Sequence, residues 1–303
     1  MTPLDDLFPG YDSVVVPTSA GAISARVGGS GSPVLLIHGH PQTGVMYHRL
    51  APRLAVSHTV VVPDLPGYGE SEAREPDAAH GPYDKRSMGN ALVEVMHSLG
   101  HDRFAVIGHD RGGRVAYRLT LDHPENVTKL SVLDIVPTLE VWDSWDRERG
   151  MQLYHWTMLA QQSPIPETLL KDSSVDWLNL ILSWGTTGTF GDYSVFDERA
   201  LDHYRAFIRQ PDRIRAICED YRAGATTDTE HDEADRAAGK MIQAPVLVLW
   251  GVRGVPANHD VTPVDIWRRW AVDVRGEALR CGHFLPEEAP EATAEPLLRF
   301  LSD

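Results

Sequence analysis

The chain contains 303 residues, and its 28 Lys and Arg residues against 43 Asp and Glu residues give a formal charge of −15. Such acidity, without a basic block, argues against binding to nucleic acid or to an anionic membrane surface. Apolar residues make up 42% of the chain and charged residues 23%, ordinary globular values that exclude a disordered chain or a coiled coil.

Three further features predict the cellular compartment. No apolar run approaches the ~18 residues of a membrane helix, and the first ten residues contain no Lys or Arg and therefore no legible secretory signal. Cys218 and Cys281 are too few to form a disulfide framework, so each is expected to be a reduced thiol. We therefore expect a soluble, cytoplasmic protein.

Short β-rich runs alternate with helical patterns, which is typical of a mostly parallel sheet with helices on both faces. Helical periodicity fits residues 85–99, 111–122, 264–271 and 291–301. Eight strands are predicted, at residues 13–17, 23–27, 34–38, 59–63, 104–108, 129–134, 246–251 and 273–279. The sequence thus predicts an α/β fold with an eight-stranded sheet.

Between about residues 138 and 235 the alternation of strands and helices stops. This segment is helical in character and holds five of the eight tryptophans, and its glycine-rich stretch 185–191 is predicted to be a loop. An insertion of this size between two strands of one sheet indicates a helical cap over the sheet edge. We predict a core made of residues 1–137 and 236–303, with a cap at 138–235.

The sharpest local motif is Val-Ile-Gly-His-Asp-Arg-Gly-Gly at residues 106–113, which ends a predicted strand and opens a predicted helix. Small residues around the central position permit the strained turn of a nucleophile elbow. The central residue is Asp110, and a carboxylate suits displacement at a saturated carbon that carries a leaving group. The helix N-terminus favours its ionised form by about 0.3–1 kcal/mol.

A covalent Asp110 ester must be hydrolysed, which requires a general base. His283 lies between the last predicted strand and the last helix, and the order nucleophile, acid, late histidine is typical of hydrolases with such an elbow. Two acids could orient His283: Asp134 ends one strand and Asp260 follows another. Position alone does not decide between them.

The oxyanion formed during ester hydrolysis needs hydrogen-bond donors. We expect them from the backbone N–H of Arg111 and from the loop after the third strand, residues 38–42. His38 and His40 in this loop have the spacing of a metal-binding pair. No acidic or histidine companion stands at a suitable spacing, so no metal is expected.

Arg111 and Arg114 lie three residues apart on one helix face beside the nucleophile. Arg118 continues the stripe about 10 Å from Arg111 along the axis and is expected to be structural. Two guanidiniums beside an anionic nucleophile indicate an anionic substrate, with a carboxylate held by both. The alternative is that they form salt bridges in the packing of helix and sheet.

With these residues, the sequence resembles the fluoroacetate dehalogenases of the α/β-hydrolase superfamily. The resemblance extends from residues 7–10 to 282–288 and is most specific at 108–114, 154–156 and 218–224. It implies an α/β-hydrolase fold with an inserted helical cap, no cofactor and a homodimer. It also implies a nucleophile, two carboxylate-binding residues, an orienting acid and a base, which are Asp110, Arg111, Arg114, Asp134 and His283.

The resemblance further implies that His155, Trp156 and Tyr221 bind the leaving halide. Each side chain can donate a hydrogen bond, and at about 1.5–3 kcal/mol per bond to a charged acceptor three of them supply about 5–9 kcal/mol. Without the resemblance, Trp156 and Tyr221 would be interpreted as ordinary aromatic residues of the cap core.

The sequence departs from the family at His40, where a phenylalanine is usual. A polar ring there could add a hydrogen bond to the substrate carboxylate, or it could weaken an apolar wall. The stretch 185–193 is longer than in relatives, and beside it Trp184 is a candidate for the pocket wall.

The predicted function is hydrolysis of a small 2-haloacid, fluoroacetate above all, to the 2-hydroxy acid and halide, without metal or cofactor. One alternative is epoxide hydrolysis, which shares the Asp–His–Asp machinery but usually activates the oxygen with two cap tyrosines. The other is a non-catalytic receptor on a hydrolase scaffold.

Overall fold

The computed structural model describes residues 7–254 and 261–303. All eight predicted strands are present, with ends no more than two residues from the predicted ones. The strands are β1 Asp12–Thr18, β2 Gly21–Gly29, β3 Ser32–Ile37, β4 His58–Pro63, β5 Phe104–His109, β6 Val127–Leu133, β7 Val246–Gly251 and β8 Val274–Leu279.

The strands form a single sheet in the order β1-β2-β4-β3-β5-β6-β7-β8. Strand β2 pairs antiparallel with β1 and β4, and every other pairing in the described residues is parallel. All six residues of β5 are buried, so both faces of the sheet centre are covered, as a parallel sheet requires. The predicted mostly parallel, eight-stranded sheet is confirmed.

Helices connect the strands. A short 3₁₀ helix at Gly44–Tyr47 precedes α1 Ala51–Leu54. The remaining helices are α2 Lys85–Ser98, α3 Asp110–Asp122, α4 Thr138–Asp143, α5 Arg147–Gln152, α6 Tyr154–Leu159, α7 Ile165–Leu170, α8 Ser174–Gly185, α9 Glu198–Ile208, α10 Pro211–Ala225, α11 Thr227–Ala237, α12 Pro263–Trp267, α13 Leu285–Glu288 and α14 Pro290–Ser302.

Two predicted boundaries are wrong. The helix predicted over residues 264–271 ends at Trp267, because Ala271 pairs with Ile242 in a parallel bridge and cannot remain helical. The loop predicted over 185–191 starts one residue later, because α8 continues through Gly185. The eight helices α4–α11 lie between β6 and β7, where the sequence predicts an inserted helical segment.

The sheet topology determines where a site can form. Parallel strands bring their carboxyl ends to one edge, and ligands of such sheets bind there. Asp110 follows β5 directly, Asp134 follows β6, and His283 lies four residues after β8. No helix among the described residues is both long and apolar enough to cross a membrane.

Candidate active site

Asp110 occupies a strained turn between β5 and α3. Its φ is +46°, in the left-handed region that residues other than glycine rarely adopt. The turn needs glycine opposite it, because a Cβ on Gly39 would come within 2.5 Å of the Asp110 Cβ. A Cβ on Gly108 would likewise come within 2.5 Å of the Gly112 carbonyl oxygen. Gly39 therefore allows residues 38–42, which we call the oxyanion loop, to approach the elbow closely, and Gly108 allows the elbow itself to turn tightly.

The Asp110 carboxylate is buried, and one of its two oxygens accepts a hydrogen bond from the backbone. Its Oδ1 accepts a hydrogen bond of 2.8 Å from the backbone N–H of His40, and its Oδ2 lies 3.8 Å from His283 Nε2. Burial opposes the ionised form, but His283 and the nearby arginines lower the pKa of Asp110 below its usual value. Asp110 is therefore an anion at neutral pH, which a nucleophile requires.

His283 is oriented by Asp134. The two side chains meet at 2.6 Å between His283 Nδ1 and Asp134 Oδ2, while Asp134 Oδ1 accepts from the Gly251 backbone N–H at 2.9 Å. In the neutral ring, donation from Nδ1 to the carboxylate leaves Nε2 unprotonated on the side that faces Asp110. Burial lowers the pKa of His283, but Asp134 and Asp110 outweigh it and raise the pKa. Asp260, the competing acid, lies outside the described residues.

The loop that carries His283 is held by acidic side chains that the sequence analysis missed. Glu288 accepts from the backbone N–H groups of Gly282 and Phe284, each at 3.0 Å, on the two sides of the histidine. Glu287 is buried, and burial raises its pKa well above the usual value. Its carboxyl group accepts from the Gln42 amide, which joins this loop to the oxyanion loop. A Glu-Glu pair one turn after a histidine could have suggested the first contact but not the second.

The two arginines beside Asp110 are completely or almost completely buried, and each is partly engaged by the protein. Arg111 is ion-paired with Asp220, whose Oδ1 accepts from Nε at 3.0 Å and from Nη2 at 2.6 Å. Arg114 Nη1 donates to the Val136 carbonyl at 3.0 Å and to the Thr138 hydroxyl at 3.2 Å. Arg111 Nη1 and Arg114 Nε find no hydrogen-bond acceptor in the described part of the chain.

The contacts of the arginines within the protein bear on the salt-bridge interpretation. The salt-bridge alternative holds for Arg111, and Arg118 is structural as expected because it pairs with Asp122 and Asp235. Arg114 lines the cavity described below, whereas Arg111 is absent from its described lining. The backbone N–H of Arg111, expected as an oxyanion donor, makes no hydrogen bond to Asp110 within the described residues.

A cavity of about 370 Å³ lies above Asp110. His155 and Trp156 reach it from α6 and Tyr221 from α10, with the Tyr221 ring centroid 6.0 Å from His155 and 6.2 Å from Trp156. Burial lowers the pKa of His155 to about 4, so its ring is neutral near pH 7. No described residue accepts a hydrogen bond from the Trp156 indole or the Tyr221 hydroxyl. The three predicted halide-binding side chains thus share one cavity with Asp110 and His283.

His40 and Trp184 also line this cavity. The His40 ring is buried between Trp177 and Tyr221, at centroid distances of 5.2 and 5.5 Å. Neither ring nitrogen has a hydrogen-bond partner in the described segments, and burial lowers the pKa of His40 to about 3. The Trp184 side chain lies at the cavity mouth, since 53% of it is exposed.

The described residues contain one group with spacing suited to a metal ion, Asp84, Asp228 and His231. Its carboxylates are already engaged, since Asp84 caps α2 and Asp228 pairs with Lys85 at 3.1 Å. His38 of the suspected metal pair is engaged as well: it accepts from the Leu65 N–H and contacts the Gly39 carbonyl. The carboxylates of the first set and the ring of His38 are thus engaged in contacts within the described protein.

Comparison with known proteins agrees with this fold. A family model described as the alpha/beta hydrolase fold matches residues 32–289. A fluoroacetate dehalogenase of a Burkholderia species is 39% identical over 98% of this chain and 96% of its own length. A soluble epoxide hydrolase of a Corynebacterium species (strain C12) is 34% identical over 90% of this chain and 91% of its own length. A solved structure from Nostoc sp PCC 7120, classed with the α/β hydrolases, is 45% identical with a TM-score of 0.93, and the match covers 97% and 99% of the two chains.

Proposed function

We propose that this chain, which belongs to the α/β-hydrolase fold family, hydrolyses the carbon–halogen bond of a small 2-haloacid, with fluoroacetate as the first candidate. The observation that carries the proposal is the pair of unpartnered, buried polar atoms beside Asp110, Arg111 Nη1 and Arg114 Nε. Buried N–H groups without acceptors cost about 1–3 kcal/mol each. Arg114 lines the cavity, and Arg111 lies directly behind the Tyr221 ring that lines it. A substrate carboxylate that reaches both nitrogens would satisfy them, and the two positive charges would offset its repulsion by Asp110.

In the first half of the proposed reaction, an Asp110 oxygen attacks the carbon that carries the halogen. The new carbon–oxygen bond forms as the carbon–halogen bond breaks, and its electron pair leaves with the halide. His155, Trp156 and Tyr221 donate hydrogen bonds to the departing halide. These bonds strengthen as charge develops, so they lower the barrier more than they tighten substrate binding.

In the second half, His283 Nε2 removes a proton from water, and the resulting hydroxide attacks the ester carbonyl carbon of Asp110. The backbone N–H of His40 stabilises the oxyanion. Collapse of this intermediate breaks the bond between the carbonyl carbon and the substrate-bearing oxygen, and the proton that remains on the attacking hydroxyl passes to the departing alkoxide. This restores the Asp110 carboxylate and releases the 2-hydroxy acid, and His283 then gives up to solvent the proton it took from water. The product hydroxyl oxygen therefore comes from Asp110, and the water oxygen stays in the enzyme. Asp134 keeps Nε2 directed at the site and stabilises the imidazolium.

The Burkholderia relative supports this substrate class, because the Asp110, Arg111 and Arg114 positions fall within the sequence it matches. The Corynebacterium relative supports a second candidate, epoxide hydrolysis with the same three catalytic groups. One observation weighs against it: epoxide hydrolases usually activate the epoxide oxygen with two cap tyrosines, whereas Tyr221 is the one tyrosine in the described lining of this cavity. A neutral epoxide would also leave the arginine N–H groups without an acceptor.

The deciding experiment measures halide release from fluoroacetate and chloroacetate in parallel, with Asp110→Asn as the control. Fluoride release that disappears in the variant supports both the anionic substrate and the halide site. Chloride release alone retains the mechanism but removes His155, Trp156 and Tyr221 from their proposed role. Release of neither halide refutes the proposal. Epoxides are then the next substrates to test, and the hypothesis of a receptor that binds a ligand without turnover follows.

A further inference from the structure

Arg111 is the first of four charged side chains that contact one another in a row inside the protein. These residues, which we call the buried charge chain, are Arg111, Asp220, Lys85 and Asp228, each no more than 2% exposed. None of the four belongs to the described lining of the cavity. Charged groups are costly to bury even in pairs, and well-packed apolar residues often replace them without loss of stability. The presence of the chain therefore calls for a functional explanation.

Asp220 fixes the plane of the Arg111 guanidinium. Its Oδ1 accepts from Nε and Nη2, and its backbone carbonyl also accepts from Nη2 at 2.6 Å. A guanidinium is rigid and planar, so engagement of two nitrogens determines the direction of the third. That third nitrogen is Nη1, the one left without a partner.

Asp220 is itself held on both oxygens. The Tyr68 hydroxyl donates to Oδ2 at 2.9 Å, and the Lys85 ammonium donates to Oδ1. Lys85 is held in turn by Asp228, which lies 3.1 Å from its Nζ. Because the two inner members, Asp220 and Lys85, each have a partner on both sides, Asp220 cannot rotate away from Arg111 without breaking a buried ion pair.

The same residue connects Arg111 to the proposed halide site. Asp220 directly precedes Tyr221 on α10, and the Tyr221 ring centroid lies 4.2 Å from Arg111 Cζ. Arg111 lies on α3, which begins at the elbow. A single ion pair therefore joins the helix that carries the nucleophile to the helix that carries Tyr221.

We propose that Asp220 is a positioning residue that directs Nη1 of Arg111 toward the substrate carboxylate. This inference rests on the proposed function, which assigns carboxylate binding to Arg111. A positioning role and a mere counter-charge role predict opposite changes in carboxylate affinity when Asp220 is replaced. The negative charge of Asp220 alone repels an anionic ligand, so its removal at fixed geometry would tighten carboxylate binding. Loss of positioning would weaken it.

The test is Asp220→Asn, with acetate as the probe, because acetate has the carboxylate but no leaving group. We expect its dissociation constant, measured by calorimetry, to rise about tenfold or more, as when a hydrogen bond to a charged group is misaligned. The KM for chloroacetate should rise in parallel. The matched control is Glu219→Gln, a neighbouring buried carboxylate that pairs with Arg222 and His80 instead; it should leave acetate binding unchanged.

A second variant covers the case in which Asp220→Asn does not fold. Tyr68→Phe keeps every charge and removes only the hydroxyl donor to Asp220 Oδ2, so we expect a smaller rise, about two- to fivefold. Unchanged or tighter acetate binding in folded Asp220→Asn, or failing that in Tyr68→Phe, overturns the positioning role. A wild-type protein that binds acetate but releases no halide refutes the proposed function and leaves this test intact. A wild-type protein that does not bind acetate overturns the inference itself.

Discussion

Replacement of Trp156 by phenylalanine tests whether the cap assists departure of the halide. Trp156 is buried on α6, where its ring packs against Trp142 at 5.6 Å and lies 4.5 Å from Arg114 Cζ. Phenylalanine keeps an aromatic ring in this stack and removes the indole N–H. No described residue accepts from that N–H, so the substitution breaks no hydrogen bond within the described protein.

The expected magnitude follows from the lost donor. A hydrogen bond to a charged acceptor contributes about 1.5–3 kcal/mol, and each 1.36 kcal/mol corresponds to about a tenfold change in rate. Ester formation from fluoroacetate should therefore slow about 10- to 150-fold. Bromide is a far better leaving group with a more diffuse charge, so bromoacetate should slow much less. The weaker contact with Arg114 affects both substrates alike and cancels in their ratio.

The assay is single-turnover halide release from fluoroacetate and bromoacetate, compared as a ratio of rates. The matched control is Trp142→Phe, which removes an indole of the same stack whose N–H donates to the Gly224 carbonyl at 2.8 Å. That variant should leave the ratio unchanged. If Trp156→Phe slows both substrates equally, the indole packs the cap and does not assist the halide.

Three other outcomes are expected. His283→Asn should form the Asp110 ester and fail to hydrolyse it. Intact-protein mass spectrometry after substrate exposure should therefore show a mass increased by the esterified acid, and an unchanged mass would contradict the two-step reaction. Hydrolysis needs neutral His283, whose pKa is raised, so turnover should fall as the pH drops through that pKa. Ester formation should persist at the same pH, because the pKa of Asp110 is lowered. Rapid-quench measurements in which both steps decline together would contradict this assignment of one group to each step. His40→Phe removes two buried nitrogens without partners, so the free energy of unfolding, measured in urea, should rise by about 1 kcal/mol. The variant keeps the backbone N–H, so ester hydrolysis should be unchanged. A large loss of turnover would instead indicate that the imidazole contacts the substrate.

Much of the fold could be predicted because its signals are local. Each strand is a short β-rich run bounded by turn residues, and each lies where the sequence predicts it. The elbow could also be predicted from its motif, since a Cβ on Gly108 would meet Gly112 and Gly113, which lie within the same turn. The choice between Asp134 and Asp260 depended on the resemblance to a family, because both follow predicted strands.

The contacts that the sequence did not reveal join residues that are distant along the chain. Asp220 lies 109 residues from Arg111, and nothing in the local pattern of α10 distinguishes it from Glu219, which pairs elsewhere. The bridge between Gln42 and Glu287 spans 245 residues. Such pairings depend on how the helices of the inserted segment pack on the sheet, which periodicity does not encode.

The hydrogen bond from the His40 backbone to Asp110 Oδ1 has a further consequence. In the proposed reaction, Oδ1 is the carboxylate oxygen of the free enzyme that does not attack. It is then the ester carbonyl oxygen of the intermediate, and during hydrolysis it carries the full negative charge. One donor therefore follows one atom through the whole cycle, and neither has to move. Charge on this oxygen falls in the first step and grows in the second, so weakening the donor should leave an enzyme that captures its substrate readily and releases it slowly.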